Sequence, residues 1–490
     1  MPARRLKVML GKLAVLVSAG VIGGCATSPP GAGFGEVQNT VSARTGHWVQ
    51  WRGHSVEDAA VDAVVHALLA RELTADDAVQ IALLNNRGLQ ATFEELGIAQ
   101  AELVQAGLLR NPVFDLSIRI PDRRPSRTYL DFSVAEDFID VFLVPARRKL
   151  VGAAFAQAKM KVEEEILALA AETKTAFYEY QASEQVVELR KTGLDAASAA
   201  ADAAKDLHDA GNTTDLDLLG QQTLEARAKT DLVSAQAQAA EHRERLTDLM
   251  GLWGHDIDWK PAGRLPDPPE TDFDPAELEL LAVRQRDDLA AARQEVAIQS
   301  QALDLTRRTR FLASANLGPE AERETDGQWR IGPSLSAPIP VFDQGQAAVL
   351  RQQFMLEQSR RRYEALTEHI RSQVRTTLSR LLNARSKIRL YRLTVLPLGQ
   401  KFLEQAQLHY NGMYIGVFQL LQAKREQIDA GSEYIDALRD YWVARAQLER
   451  AVGGRLPAGP AAAPASTEPA PPEPQTMPAG MDHQHHHHGG

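Results

Sequence analysis

From Thr74 to about Leu109, apolar side chains recur at helical spacing, at Leu89, Leu96, Ala99, Leu103 and Ala106, and Thr74 stands as an N-cap ahead of Asp76 and Asp77. The pattern predicts one helix, ended by Asn111-Pro112. The period then changes. In Phe114-Asp115-Leu116-Ser117-Ile118-Arg119-Ile120 apolar and polar residues alternate, which predicts a strand with two unlike faces. After a turn-rich stretch from Pro121 to Ser126, Leu130, Phe132 and Val134 alternate with Asp131 and Ser133, so the two runs predict a hairpin. A very long helix follows, from Ala146 to about His208, about 95 Å at 1.5 Å per residue. Its seam is Ile166, Leu169, Thr173, Ala176 and Tyr180, followed by an Ala-rich stretch near Ala196 to Ala204 that permits close helix approach. Gly211 breaks it, and a return helix runs from about Leu216 to Met250.

This order of elements then repeats. Ala82, Leu89, Ala91, Glu95, Ile98, Leu103 and Arg110 reappear as Ala282, Leu289, Ala291, Glu295, Ile298, Leu303 and Arg310. Leu207-His208 with Gly211 is answered by Leu408-His409 with Gly412, and Gly251 by Gly453. In the second copy the strands are placed at Phe311 to Leu317 and, after a polar loop rich in Glu and Gly, at Trp329 to Leu335. The second long helix spans Gln344 to about Tyr410, with a coiled-coil seam at Ile370, Val374, Thr377, Leu381, Ala384, Ile388, Tyr391 and Val395. Pro397 inside it predicts a kink, and the return helix runs from Val417 to Val452. Charged faces opposite the seams read as solvated, or as the wall of a water-filled tube.

Each copy thus offers two strands long enough to cross a membrane obliquely, and an ordinary soluble hairpin fits the same runs. Four strands cannot close a barrel around a useful lumen, whereas three copies of the chain would supply twelve. Past the amino terminus no apolar run approaches the 18 or so residues of a transmembrane helix, so any crossing would use a β-barrel.

The amino terminus carries Arg4, Arg5, Lys7 and Lys12 ahead of the apolar run Leu13 to Ile22, the layout of a secretory signal. Ile22-Gly23-Gly24-Cys25 closes it in the manner of a bacterial lipobox, with Cys25 as the expected lipidation site. Cys25 is the single cysteine of the chain, so an intramolecular disulfide is excluded. A formal net charge of −10 argues against a broad phosphate-binding surface and hence against nucleic acid as a partner. No zinc-protease, phosphate-loop or serine-elbow motif is present, and Gly31-Ala32-Gly33-Phe34-Gly35 falls in the segment after the lipobox, so an enzyme is not expected.

After Gly454 the chain turns Ala- and Pro-rich and ends in Met481-Asp482-His483-Gln484-His485-His486-His487-His488. Clustered imidazoles suit copper, nickel or zinc, and Met481 suits reduced copper. A native metal-binding tail and a purification tag both fit this string. No other cofactor is expected beyond the lipid on Cys25.

Several short motifs carry a family resemblance. They are Leu73-Thr74-Ala75-Asp76-Asp77-Ala78 through Ala82-Leu83-Leu84-Asn85-Asn86, Arg110-Asn111-Pro112, Arg286-Asp287-Asp288-Leu289, Ala337-Pro338-Ile339-Pro340-Val341-Phe342-Asp343-Gln344-Gly345, Val395-Leu396-Pro397, and Tyr410-Asn411-Gly412 with Leu420-Leu421. In these the chain resembles the TolC-like outer-membrane efflux proteins, especially the lipid-anchored members that serve resistance-nodulation-division pumps. The resemblance implies a mainly α fold with a small β part: a homotrimer with a duplicated long-helix α-barrel and a twelve-stranded outer-membrane β-barrel, four strands from each chain. It further implies a lipid-anchored position in the outer membrane of a Gram-negative bacterium, extending into the periplasm, with a periplasmic adaptor and an inner-membrane pump as partners.

Residues 1–24 then form the signal peptide, 25–73 a lipidated extension, 74–253 and 274–454 the two repeats joined by a linker at 254–273, and 455–490 a disordered tail. The turns near Gly211 and Gly412 become the helical tips and adaptor contact. Asp215 and Asp217 are candidate gate carboxylates, with plain stabilisation of a helix N-terminus as the competing role. His483, His485, His486, His487 and His488 are candidate metal ligands. The expected function is an efflux duct for metal ions such as copper. A duct for organic drugs and a pore-free, lipid-anchored coiled-coil scaffold are the alternatives.

Overall fold

A computed structural model describes residue 31 and residues 33–53, 56–122, 127–270, 273–311 and 316–457. The signal segment, Cys25 and the histidine tail lie outside these residues. Two helices precede the first repeat, α1 (Phe34–Thr45) and α2 (Val56–Leu69). Phe34, Val37 and Val41 of α1 are buried in one core with Phe93, Leu96, Val162 and Ile166. The segment after the lipobox therefore already holds a core residue, Phe34.

The helix expected from Thr74 to Leu109 is two helices, α3 (Ala75–Asn85) and α4 (Arg87–Ala106). Thr74 starts α3 by a reciprocal capping box: its hydroxyl accepts from the Asp77 amide at 3.2 Å, and the Asp77 carboxylate accepts from the Thr74 amide at 3.0 Å. The break falls at Asn86, whose side chain caps α4 by accepting from the Leu89 amide at 2.9 Å. The side-chain amides of Asn85 and Asn86 donate from Nδ2 to carbonyls at the end of the return helix, Gly251 O at 2.7 Å and Leu249 O at 2.9 Å. Gly251, with φ +66°, presses so close to Asn85 that a side chain has no room there.

The hairpin strands are β1 (Val113–Arg119) and β2 (Tyr129–Asp137). The long helix α5 (Phe138–Asp209) begins earlier than its seam predicts, because Asp137 caps it by accepting from the Ile139 amide, and Pro145 is carried inside. Its return partner is α6 (Asp215–Leu249). The linker is held by Arg243, which donates to Tyr180 Oη at 2.9 Å and to the carbonyls of Ile257 and Trp259 at 2.8 Å while lying over the Trp259 ring.

The second repeat follows the same plan. Helices α7 (Pro275–Gln285) and α8 (Asp287–Thr309) break at Arg286, the positional twin of Asn86. The buried Arg286 guanidinium donates to Asp288 at 2.6 Å and to Gln373 at 2.7 Å. Strands β3 (Asn316–Arg323) and β4 (Trp329–Ser336) lead into α9 (Gln346–Leu390), α10 (Leu396–Asn411) and α11 (Val417–Val452).

The strand expected at Phe311 to Leu317 is displaced: β3 occupies what reads as a polar loop. Gly318, Glu320 and Glu322 alternate with Leu317, Pro319 and Ala321, so β3 is two-faced like the others, but Gly, Pro and Glu conceal it from a propensity reading. A side chain at Gly318 would run into the Val134 carbonyl oxygen of β2, so only glycine lets the strands close at that point.

The predicted seams are buried from Ile370 to Ile388 in α9 and at Ile166, Thr173, Ala176 and Tyr180 in α5. Pro397 acts through the turn before it: Tyr391–Val395 is a π-turn, and α10 restarts with the proline in its first turn, where no amide donor is needed. This turn absorbs one extra residue. Ahead of it the buried seam positions Thr173, Ala176 and Tyr180 correspond to Val374, Thr377 and Leu381, whereas beyond it buried Ala204 corresponds to Ala406, one step further on.

Candidate functional site

The four strands form one antiparallel meander in the order β1-β2-β3-β4, so the hairpins of the two repeats are joined through β2 and β3. Register gives the sheet two opposite characters. One row runs Leu116, Phe132, Ala321 and Ile331, flanked by Ile118, Leu130, Arg323 and Trp329. The other face carries Ser117, Asp131, Glu322 and Arg330 in one row, with Asp115, Ser133, Glu320 and Gly332 beside it. On the apolar face Phe114, Leu116, Ile118, Trp329, Ile331 and Leu335 are exposed, and both outer strands, β1 and β4, lack a partner on one side among the described residues. At 3.4 Å per residue the strands are about 24–31 Å long, comparable with the roughly 25 Å apolar band of an outer-membrane barrel. No described helix is long and apolar enough to cross a membrane.

The opposite end of α5 and α10 is a pair of helical tips. At the first, Gly211 with φ +73° closes α5: its amide donates to His208 O and that of Asn212 to Leu207 O, both at 2.8 Å. Thr214 caps α6 by accepting from the Asp217 amide, and its hydroxyl donates to the Asp217 carboxylate at 2.7 Å. That hydrogen bond holds the Asp217 carboxyl below its ordinary range. Asp215 meets His208 Nε2 at 2.6 Å. Both candidate gate carboxylates thus lie at the tip, and Asp217 is engaged in capping.

At the second tip the expected glycine is not the left-handed residue. Gly412 has φ −82°, while Met413 has φ +58°. The hydrogen bonds agree: Met413 donates to Tyr410 O and Tyr414 to His409 O, both at 2.9 Å, the two bonds made by Gly211 and Asn212 in the first tip. Met413 is therefore the twin of Gly211, displaced by the residue that the π-turn absorbs. A side chain at Gly412 would meet the exposed Tyr414 ring, which would have to turn aside. By the same offset Gly416 and Gln419 replace Thr214 and Asp217, so the second tip is neutral where the first is acidic. Met413, Tyr414 and Leu216 are all more than three-quarters exposed.

A third cluster escaped the sequence because its members are far apart in the chain. Where α1 and the two repeats meet, the Arg44 guanidinium pairs with Asp287, which lies against Glu163. One step along, Glu164 faces Asp288, Arg286 and Arg450. Burial and the neighbouring carboxylates push Glu164 up to about 7, and burial raises Glu163 and Asp287 as well. Adjacent Glu163-Glu164 and Asp287-Asp288 are the signal in the sequence, legible only once their facing is known. Among the described residues no group of three or more His, Cys, Asp or Glu is arranged to hold a metal ion.

A long-helix duplication carrying a four-stranded sheet, apolar on one face and polar on the other, defines the class: an outer-membrane channel fold. Residues 78–252 match the model of the family described as outer membrane efflux protein. The chain is 24% identical over 397 residues to the cobalt-zinc-cadmium resistance protein CzcC of Cupriavidus metallidurans, covering 78% of this chain and 91% of that one. The CmeC outer membrane channel of Campylobacter jejuni is similar in fold, with a TM-score of 0.66 at 16% identity over 78% of this chain and 85% of that one. The MtrE outer membrane channel of Neisseria gonorrhoeae, solved in its open state, gives 0.64 at 17% identity over 78% and 89%. The match to outer membrane efflux proteins thus spans the first repeat, and the solved channels show that the fold extends over the second.

Proposed function

We propose that three copies of this chain close a twelve-stranded barrel in the outer membrane and continue it as a helical tunnel, passing cargo delivered by an inner-membrane pump through a periplasmic adaptor. The observation that carries this reading is the two-faced sheet with both edges open: its apolar face suits lipid, its polar face suits water, and its edges suit other copies. A periplasmic scaffold without a pore gives such a sheet no task. The helical tips are the surface offered to the adaptor, Asp215 and Asp217 are gate carboxylates of the first tip, and Cys25 is the lipid attachment site that tethers α1.

For cargo we favour divalent metal ions. The relative CzcC is named for cobalt, zinc and cadmium resistance, and the clustered histidines at 483 and 485–488 suit the same class of ion. The test is reconstitution of the full chain into planar lipid bilayers, with native mass measured in detergent. A trimeric mass with ion conductance is expected, larger once Asp215 and Asp217 are changed to Asn. A monomeric mass, with silent bilayers even for the Asn variants, would sink the duct.

A further inference from the structure

Within one chain the two repeats meet where α5 packs on α8, and one side chain marks the contact. Gln157 of α5 donates from Nε2 to the Ala291 carbonyl and to Glu295 Oε2, both at 3.1 Å. Ile298 continues the stripe of α8 that holds Ala291 and Glu295, one turn on, and is 9% exposed. Gln157, Ala291, Glu295 and Ile298 each have a twin of the same residue type in the other repeat. Ala91, Glu95 and Ile98 lie on α4, 200 positions earlier, and Gln358 lies on α9 at the offset that relates the buried seams ahead of the π-turn. The twins are not partnered in the same way. Ala91, Glu95 and Gln358 are exposed, and Ile98 is 61% exposed.

The same holds for the stripe leading to Gln358. Lys149, Ala153 and Gln157 on α5 correspond to Leu350, Phe354 and Gln358 on α9, and Leu350 and Phe354 are exposed apolar side chains. Strand polarity brings these surfaces together. In a closed antiparallel ring β4 of one copy runs beside β1 of the next, so the start of α9, which follows β4, lies beside the end of α4, which precedes β1. The α5–α8 contact inside the chain is thereby repeated as an α9–α4 contact between chains.

We infer that Ala91, Glu95 and Ile98 on α4 form the socket for a second copy of this chain, which inserts Gln358 and Phe354 of its α9 and repeats the Gln157–Glu295 hydrogen bond as Gln358–Glu95. Phe354 supplies the bulk that covers Ile98, where the twin position holds only Ala153. The inference rests on the ring of copies proposed above and adds its helical interface.

The full chain carrying Gln358→Cys and Glu95→Cys together is treated with a short bismaleimide, and native mass is measured on the same sample. Covalent dimers and trimers are expected from the pair and absent from either single variant and from the wild type, whose one cysteine is Cys25. A trimeric mass without cross-linking overturns the helix pairing and leaves the ring standing, whereas a monomeric mass overturns both. As a second arm, Glu95→Arg lowers the trimer fraction and Gln358→Glu in the same chain restores it, through an ion pair in place of the hydrogen bond. Trimer loss that Gln358→Glu leaves unrepaired overturns the pairing.

Discussion

Glu163 lies against Asp287 across the seam between the repeats, and the Arg44 guanidinium of α1 faces both carboxylates. Two buried acids sharing one cation favour the proton on one of them. Glu163 and Glu164 both have their affinity for protons raised by folding, from an ordinary 4.5, and Glu164 reaches about 7. The folded state therefore binds more protons between those values, and the stability these groups contribute is full below pH 4.5 and lost as the pH rises through about 7. Asp76, held low by His47 and Lys174, works in the opposite sense but only below its ordinary 3.8. The thermal midpoint should fall between pH 5 and pH 8, and a Glu163→Gln, Glu164→Gln double variant should flatten the profile. A profile of unchanged slope would contradict the assignment.

Gly318 sits where β3 meets the Val134 carbonyl of β2. Gly318→Val must push the strands apart at the one place where the two hairpins are joined, with a cost near the upper end of overpacking, about 3 kcal/mol. Loss of the trimeric native mass in detergent is the expected outcome. Gly332, with open space around it, should accept alanine without that loss.

Met413 holds a left-handed backbone that costs an L-residue about 1 kcal/mol relative to glycine. Met413→Gly should slow hydrogen exchange of the amides that close the turn, Met413 and Tyr414, and Met413→Val should speed it. The equivalent change in the first tip, Gly211→Ala, should speed exchange at Asn212.

Deleting residues from Met481 onward should abolish stoichiometric copper or zinc binding by the purified chain and lower resistance to the same ions in the host. Binding lost with resistance unchanged would separate the tail from transport.

Much of this fold is legible in the sequence because burial imposes a local period. Ile370, Val374 and Leu381 announce a seam by spacing alone, and the alternation of Leu116 with Ser117 or Phe132 with Ser133 announces two-faced strands. The acidic first tip is equally local, since Thr214 and Asp217 stand at capping-box spacing. Failures occur where a distant partner decides. Asn86 looks like a tolerable helix residue until the carbonyls at Leu249 and Gly251 claim the two asparagines. Strand β3 is obscured because its acidic face opposes Asp131 and Arg330 in polar rows, which no propensity scale rewards. Pairing Gly211 with Gly412 follows the flanking Leu-His match, and only the π-turn ahead of Pro397 shows that the match is one residue out of phase.

The open meander also makes this chain's thermodynamics depend on its abundance. A copy alone leaves the outer sides of β1 and β4 with unmatched backbone donors and acceptors among the described residues, and in the proposed ring the next copy satisfies them. In that ring mass action governs how long a new chain keeps its edges open: doubling its concentration hastens closure, while scarcity prolongs exposure of edges that template aggregation.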